Sequence, residues 1–203
     1  MAGTADARGD VDPASAADAT RCRIVDAAYA CMARDGIAAA TVEGIAREAG
    51  VSRATVYRTF PGGRDELATA AVTAGVTQFL VGLRADIGDA PDLATMLERG
   101  LVAGRHRLDE HAVLQRALHD EPDQIVPLLA TVLPLVLGVL RADVAERLRH
   151  ERLAPGVVPD EAADLLARLV VSTIGNAGSW DTDDPVEVRR LVRDHLLAGV
   201  VVP

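Results

Sequence analysis

A chain of 203 residues has room for one large domain or for a small domain joined to a larger one, and with 49% of its residues apolar it is too hydrophobic to be disordered through its bulk. Aromatic residues are only 2% and Ala, Leu, Arg, Glu and Asp dominate, without long β-branched alternations, so the fold class expected is all-α. A net charge of −9 argues against a nucleic-acid partner if it is spread evenly, which it is not.

Residues 1–19 are rich in Ala, Asp and Gly, carry no basic stretch leading into an apolar run, and read as a disordered leader rather than a secretion signal. Cys22 and Cys31 fit neither a CxxC pair nor a disulfide framework and suit a reducing cytoplasm. Residues 20–64 then form a basic island of seven arginines against four acids, a net +3 inside an otherwise acidic chain. Scattered arginines on helices are also what an ordinary solvated surface shows, so charge alone does not choose between the two.

Periodicity does. Thr20 is placed to cap a helix whose Ile24, Ala28 and Cys31 share one face, widened by Ala27 and Met32, and Arg34-Asp35-Gly36 supplies a cationic last turn and a glycine stop. Thr41 is the second N-cap, with Val42, Ile45, Ala46 and Ala49 on the buried side. Gly50 ends that short helix, Val51 is the apolar residue of the turn, and Ser52 caps a third helix over Arg53 to Thr59. Helix, glycine turn and helix is the helix-turn-helix layout. In the third helix Val56 is predicted to face the core while Arg53, Thr55, Tyr57 and Arg58 project elsewhere, and Arg53 and Ala54 sit where groove contacts begin. Arginine can bond guanine bidentately, Ala and Thr methyls can meet a thymine methyl, and hydroxyls on Thr41, Thr55 and Tyr57 can reach phosphates.

The run from Thr41 to Phe60, TVEGIAREAGVSRATVYRTF, resembles the signature of tetracycline-repressor-type (TetR) transcriptional regulators. It has the Thr cap, the Ile-Ala pair, Ala-Gly-Val-Ser, Thr-Val-Tyr and a Phe-Pro leading towards a fourth helix, and the strong resemblance covers about residues 20–67. It implies a three-helix DNA-binding domain at 20–64 followed by a larger helical regulatory and dimerisation domain at 65–203. The DNA-facing residues it implies are Thr41, Ser52, Arg53, Ala54, Thr55, Tyr57 and Arg58, with Arg64 where a cationic residue of the family often meets phosphate. Two positions depart from the pattern. Gly44 stands where a better helix former is usual, at a cost of roughly 1 kcal/mol relative to Ala, and the connection Phe60 to Leu67 is about one residue longer than the common one.

Beyond it the chain reads as amphipathic helices. The first, Asp65 to Ile87, has a stripe of Leu67, Ala71, Ala74, Gln78 and Val81, and is broken by Gly88-Asp89-Ala90-Pro91. Leu93, Met96, Leu97, Leu101 and Val102 mark the next, and another lies near Glu110 to His119. Pro122 to Glu151 is predicted as a short helix, a proline break and a longer helix. Its uncharged run, Ile125 to Leu140, is read as buried core and not as a membrane span. The resemblance implies that central helices enclose an effector, for which Met96, Val113, Leu114, Leu118, Leu133 and Leu137 are candidate walls. Ordinary packed core is the alternative for each. An aliphatic lining would suit a small, largely apolar molecule.

The last two helices, about Asp160 to Ala177 and Asp184 to Gly199, each have an apolar face. The resemblance implies a homodimer through Leu165, Leu169, Thr173, Leu191, Val192 and His195, which would present paired reading heads to an inverted-repeat duplex operator. His106, His111 and His119 match no zinc, nucleophile-elbow or P-loop pattern, so no catalytic residue, metal or cofactor is expected. The expected function is a DNA-binding repressor released by its effector; a helical binding protein without DNA and an enzyme are the weaker readings.

Overall fold

In the computed structural model, residues 13–202 are described, and they are helical apart from turns and one isolated antiparallel bridge between Leu153 and Val201. The helices in chain order are α1 (Pro13–Asp35), α2 (Val42–Glu48), α3 (Arg53–Thr59), α4 (Gly63–Ile87), α5 (Leu93–Glu110), α6 (Ala112–Asp120), α7 (Pro122–Leu148), α8 (Pro159–Gly175) and α9 (Pro185–Arg190), the last continuing as a π turn over Leu191–Leu196. The chain divides into two compact units, Met1–Ala71 and Val72–Pro203. The division falls seven residues later than the expected 64/65 boundary, because Leu67, Ala68 and Ala71 on the first turns of α4 are buried with the N-terminal unit.

The leader expected over residues 1–19 needs correction where it can be compared; residues 1–12 lie outside those described. Pro13 begins α1, since its fixed φ suits a first helical position and the Ala-rich stretch behind it favours helix. Thr20 is therefore not an N-cap. It sits within α1, and its hydroxyl donates to the Ala16 carbonyl at 2.8 Å. The core face of this helix is as expected, with Ile24, Ala27, Ala28, Cys31 and Met32 all buried, and Gly36 ends it at φ +99°.

The C-terminal unit is built round one cluster drawn from α5, α7, α8, α9 and the π turn, including Leu93, Leu101, Leu148, Leu166 and Val192. Asp92 caps α5 by accepting from the Thr95 N–H at 2.7 Å, and that bond holds its carboxyl below the usual range. Arg147 on α7 donates to the Ala90 carbonyl at 2.6 Å and Glu151 accepts from the Leu93 N–H at 2.9 Å, so the start of α5 is pinned to the end of α7.

Three expectations for this unit fail. The stripe on α4 does not continue through Gln78 and Val81, which are exposed; Leu80 and Leu83 are buried instead. No break interrupts α7, which runs unbroken through Pro127 and Pro134. Both prolines are exposed, and the Thr131 hydroxyl donates to the Pro127 carbonyl at 2.9 Å. Nor is the run Ile125–Leu140 buried core: Ile125 and Val132 are covered, while Val126, Leu133 and Leu135 are exposed. By length and composition alone, α4 and α7 reach what a bilayer span needs, at mean hydropathies of 1.3 and 2.2, a property shared by apolar helices of helical bundles.

Candidate nucleic-acid interface

The reading helix is held by local chemistry that starts one turn before it. Thr41 has extended backbone (φ −106°, ψ 152°), and its Oγ1 accepts from the Gly44 N–H at 3.1 Å. A Cβ on Gly44 would stand 3.3 Å from Thr41 Oγ1, a tight contact that a small shift of the hydroxyl would relieve. Gly50 supplies the left-handed turn at φ +65° after α2. Ser52 repeats the cap on α3, accepting from the Thr55 N–H at 3.1 Å while its hydroxyl meets that of Thr55 at 3.0 Å.

Val56 is the one residue of α3 that is fully buried, and Phe60 just beyond it is also at 0% exposure. The Arg21 guanidinium lies 4.3 Å over the Phe60 ring and donates to the Thr59 carbonyl, tying α1 to the end of α3. The rest of α3 turns outward: Arg53, Ala54, Tyr57 and Arg58 are exposed and Thr55 is half-buried. Thr55, Arg58 and Thr59 share a concave surface of about 460 Å³ with Ala16, Ala17, Asp18, Thr20 and Arg21 on α1. Arg21 and Arg58 share this concavity with the Asp18 carboxylate, and the Thr20 and Thr59 hydroxyls donate to the Ala16 and Thr55 carbonyls.

Two placements could not be read from sequence. Arg53 pairs with Glu43 of α2 at 2.8 Å, with its guanidinium 6.0 Å from the Tyr57 ring centre. Arg64 is not presented as a free cation: its Nε donates to the Ala40 carbonyl at 3.2 Å and its Nη2 to the Ile37 carbonyl at 2.6 Å. The longer connection explains this position. Gly63 adopts φ +62° with its N–H on the Phe60 carbonyl, Glu66 reaches back to the Gly62 N–H at 2.9 Å, and α4 starts with Arg64 turned towards the loop between α1 and α2.

Residues 24–71 match the family model described as bacterial regulatory proteins, tetR family. The N-terminal domain of this chain belongs to the tetR family. Solved TetR-family structures share the fold well beyond that domain. The repressor AlkX from Dietzia sp. strain DQ12-45-1b, implicated in biodegradation of n-alkanes, is 24% identical at a TM-score of 0.62, covering 88% of this chain and 95% of its own. A TetR-family regulator from Mesorhizobium loti MAFF303099 is 18% identical at 0.59, covering 92% and 98%. The fatty acid degradation regulator FadR from Bacillus halodurans is 20% identical at 0.54, covering 85% and 94%. None of the curated proteins compared matches the chain in sequence. The all-α architecture, a small helix-turn-helix domain followed by a larger helical part, is thus that of TetR-family regulators.

The structure distributes the other expected residues differently from their sequence grouping. Met96 belongs to the packed cluster of the C-terminal unit, Val113, Leu114 and Leu137 are half-buried, and Leu118 and Leu133 are 38% and 40% exposed. For the expected subunit interface, Leu165 (55% exposed) and Leu169 face outward on α8 and Thr173 is half-buried, but Leu191 and Val192 are core residues of their own chain. They are corrected on that ground: the apolar face of α9 and the π turn is consumed within the unit. His195 is exposed and packs edge-on to Trp180, with ring centres 5.1 Å apart. His111 caps α6, its Nδ1 accepting from the Leu114 N–H at 3.1 Å.

Proposed function

We propose that this chain is a sequence-specific DNA-binding transcriptional regulator, acting in the cytoplasm as a homodimeric repressor that a small, largely apolar effector releases from an inverted-repeat operator. One observation carries the reading: α2 and α3 are both capped, Val56 alone anchors α3 in the core, and Arg53, Ala54, Tyr57 and Arg58 are left outward on its other side. A helix so presented fits a major groove, with Arg53 for a guanine edge and Thr41, Ser52, Thr55, Tyr57 and Arg58 for backbone contacts. Arg64 then acts by holding the loop behind α2.

The acidic whole is no obstacle, since phosphate meets only the local basic surface. Pairing of two copies through the outward leucines of α8 would set two reading heads about 34–36 Å apart, one turn of duplex. The apolar character assigned to the effector draws on the aliphatic residues Val113, Leu114, Leu118, Leu133 and Leu137, and on neighbours named for n-alkane and fatty acid degradation. Effector release requires tighter binding to the DNA-incompetent conformation, with a coupling of about 1–3 kcal/mol giving roughly 5- to 150-fold weaker operator binding.

Selection of binding sites from a random-sequence duplex pool, followed by titration of the enriched site against salt, tests the reading. Enrichment of an inverted repeat and a log–log salt slope of about −0.9 per neutralised phosphate are expected. An unenriched pool, or affinity indifferent to salt, overturns it. Titrating medium-chain alkanes, fatty acids and their acyl thioesters against the resulting complex then tests release.

A further inference from the structure

Arg53 opens α3, and on the present reading it is the side chain aimed at a base edge. It is also the residue that the fold does not leave alone. Its guanidinium meets the Glu43 carboxylate at 2.8 Å, and its centre lies 6.0 Å from the Tyr57 ring centre. Glu43 is itself fixed in position, because it lies in the first turn of α2 between the Thr41 cap and the Gly44 N–H that the cap receives. Both members of the pair are more than half exposed, so the pair adds little to folding stability. A carboxylate in the first turn of a helix beside a surface meant for phosphate has an electrostatic cost, since it repels the backbone that the arginines attract.

We infer that Glu43 is a specificity-determining positioning residue that acts through Arg53 by cancelling its charge without occupying all of its donors. A guanidinium carries five N–H donors in a fixed fork, and one carboxylate engages only part of them. The remaining donors can still bond the O6 and N7 acceptors of guanine, which is neutral and rewards geometry. A phosphate is attracted chiefly by net charge, which the Glu43–Arg53 pair no longer offers. Glu43 thereby lowers binding to DNA in general more than it lowers binding to a site with guanine beneath Arg53. This inference rests on the DNA-binding reading and adds to it the residue that separates base contact from phosphate contact.

Glu43→Gln in the full-length chain is the test, measured on two probes: poly(dA-dT), which contains no guanine, and the site enriched by selection with the unmodified protein. Poly(dA-dT) affinity is expected to rise roughly five- to tenfold at about 0.1 M salt, with the salt slope steeper by about 0.9, the increment for one more phosphate neutralised. Selected-site affinity should rise less, so that discrimination falls. In an Arg53→Gln background, Glu43→Gln should raise poly(dA-dT) affinity only by the small amount that lost carboxylate–phosphate repulsion gives, without steepening the salt slope by a whole increment, which a merely structural role for Glu43 would not produce; circular dichroism establishes that each variant is folded. Unchanged poly(dA-dT) affinity and slope, or an equal effect in the Arg53→Gln background, overturns the inference while leaving the DNA-binding reading intact. Failure of the unmodified protein to bind either duplex overturns both.

Discussion

The Arg64 guanidinium on the first turn of α4 reaches the Ile37 carbonyl at 2.6 Å, twenty-seven residues earlier in the chain, and with its Nε also holds the Ala40 carbonyl. Those carbonyls lie in the loop that delivers Thr41 to its capping position. Arg64→Ala is expected to leave them without this partner and to cost about 1–3 kcal/mol of stability. Arg64→Lys should recover only part of this, because an ammonium lacks the two-pronged geometry. Urea unfolding of the three proteins checks the order; an Arg64→Ala protein as stable as the original would show that the loop holds itself.

The two helix caps give a second expectation. Thr41→Ala and Ser52→Ala should each cost about 1 kcal/mol, and because the caps act on different helices their effects should nearly add in the double variant. Thermal unfolding provides the measurement. Ser52→Ala also removes the partner of the Thr55 hydroxyl, so it should weaken duplex binding across sequences rather than change the preferred bases.

Leu165 is 55% exposed and its replacement need not disturb the core. If α8 joins two subunits, Leu165→Glu removes two leucines from the contact, at roughly 1.5–3 kcal/mol each. At least about 100-fold weaker association is then expected. Sedimentation velocity of both proteins across a concentration series decides it, and a monomeric unmodified protein would refute the dimer at once.

Acid should destabilise the protein through carboxylates that folding makes more acidic. Asp92 is lowered by the Thr95 N–H it accepts, Asp86 by its hydrogen bond from Arg107 and Asp164 by its hydrogen bond from Arg168. For each, the unfolded chain binds the proton first. Their contribution is therefore complete above the unfolded value near pH 4 and is lost as pH falls through the lower folded value. Asp92→Asn keeps an acceptor at the cap but no charge, so it should flatten the dependence of stability on pH below about 4. An unaltered acid limb would remove Asp92 from the account.

What could be read from sequence and what could not follow from the range of the forces involved. Thr41, Gly50, Ser52 and Val56 were legible because capping, left-handed turns and a single inward residue are decided within four positions. Thr20 misled by the same rule: the chemistry of a cap was present, but Pro13 and the alanines behind it had already started the helix. Leu191 and Val192 show a different limit. An amphipathic face records that something apolar covers it, and pattern alone does not distinguish the same chain from a second copy. The Glu43–Arg53 pair bridges two helices across a turn, and Arg64 spans twenty-four residues to Ala40; no local spacing announces either contact.

The π turn at Leu191–Leu196 has the form of an insertion absorbed in place. The Leu197 N–H bonds back to the Val192 carbonyl at 2.9 Å, five residues earlier, so one residue more than an α turn needs is held there. Removing one residue from this stretch would restore regular winding locally, but it would rotate everything after it by about 100° and draw it back by about 1.5 Å. The tail could not accept that shift, since the Ala154 N–H bonds the Val200 carbonyl at 3.0 Å and the Val202 N–H bonds the Arg152 carbonyl at 2.8 Å. In an evolutionary lineage, a deletion here would therefore have to be matched by a compensating residue before Val200, and the two changes should be inherited together.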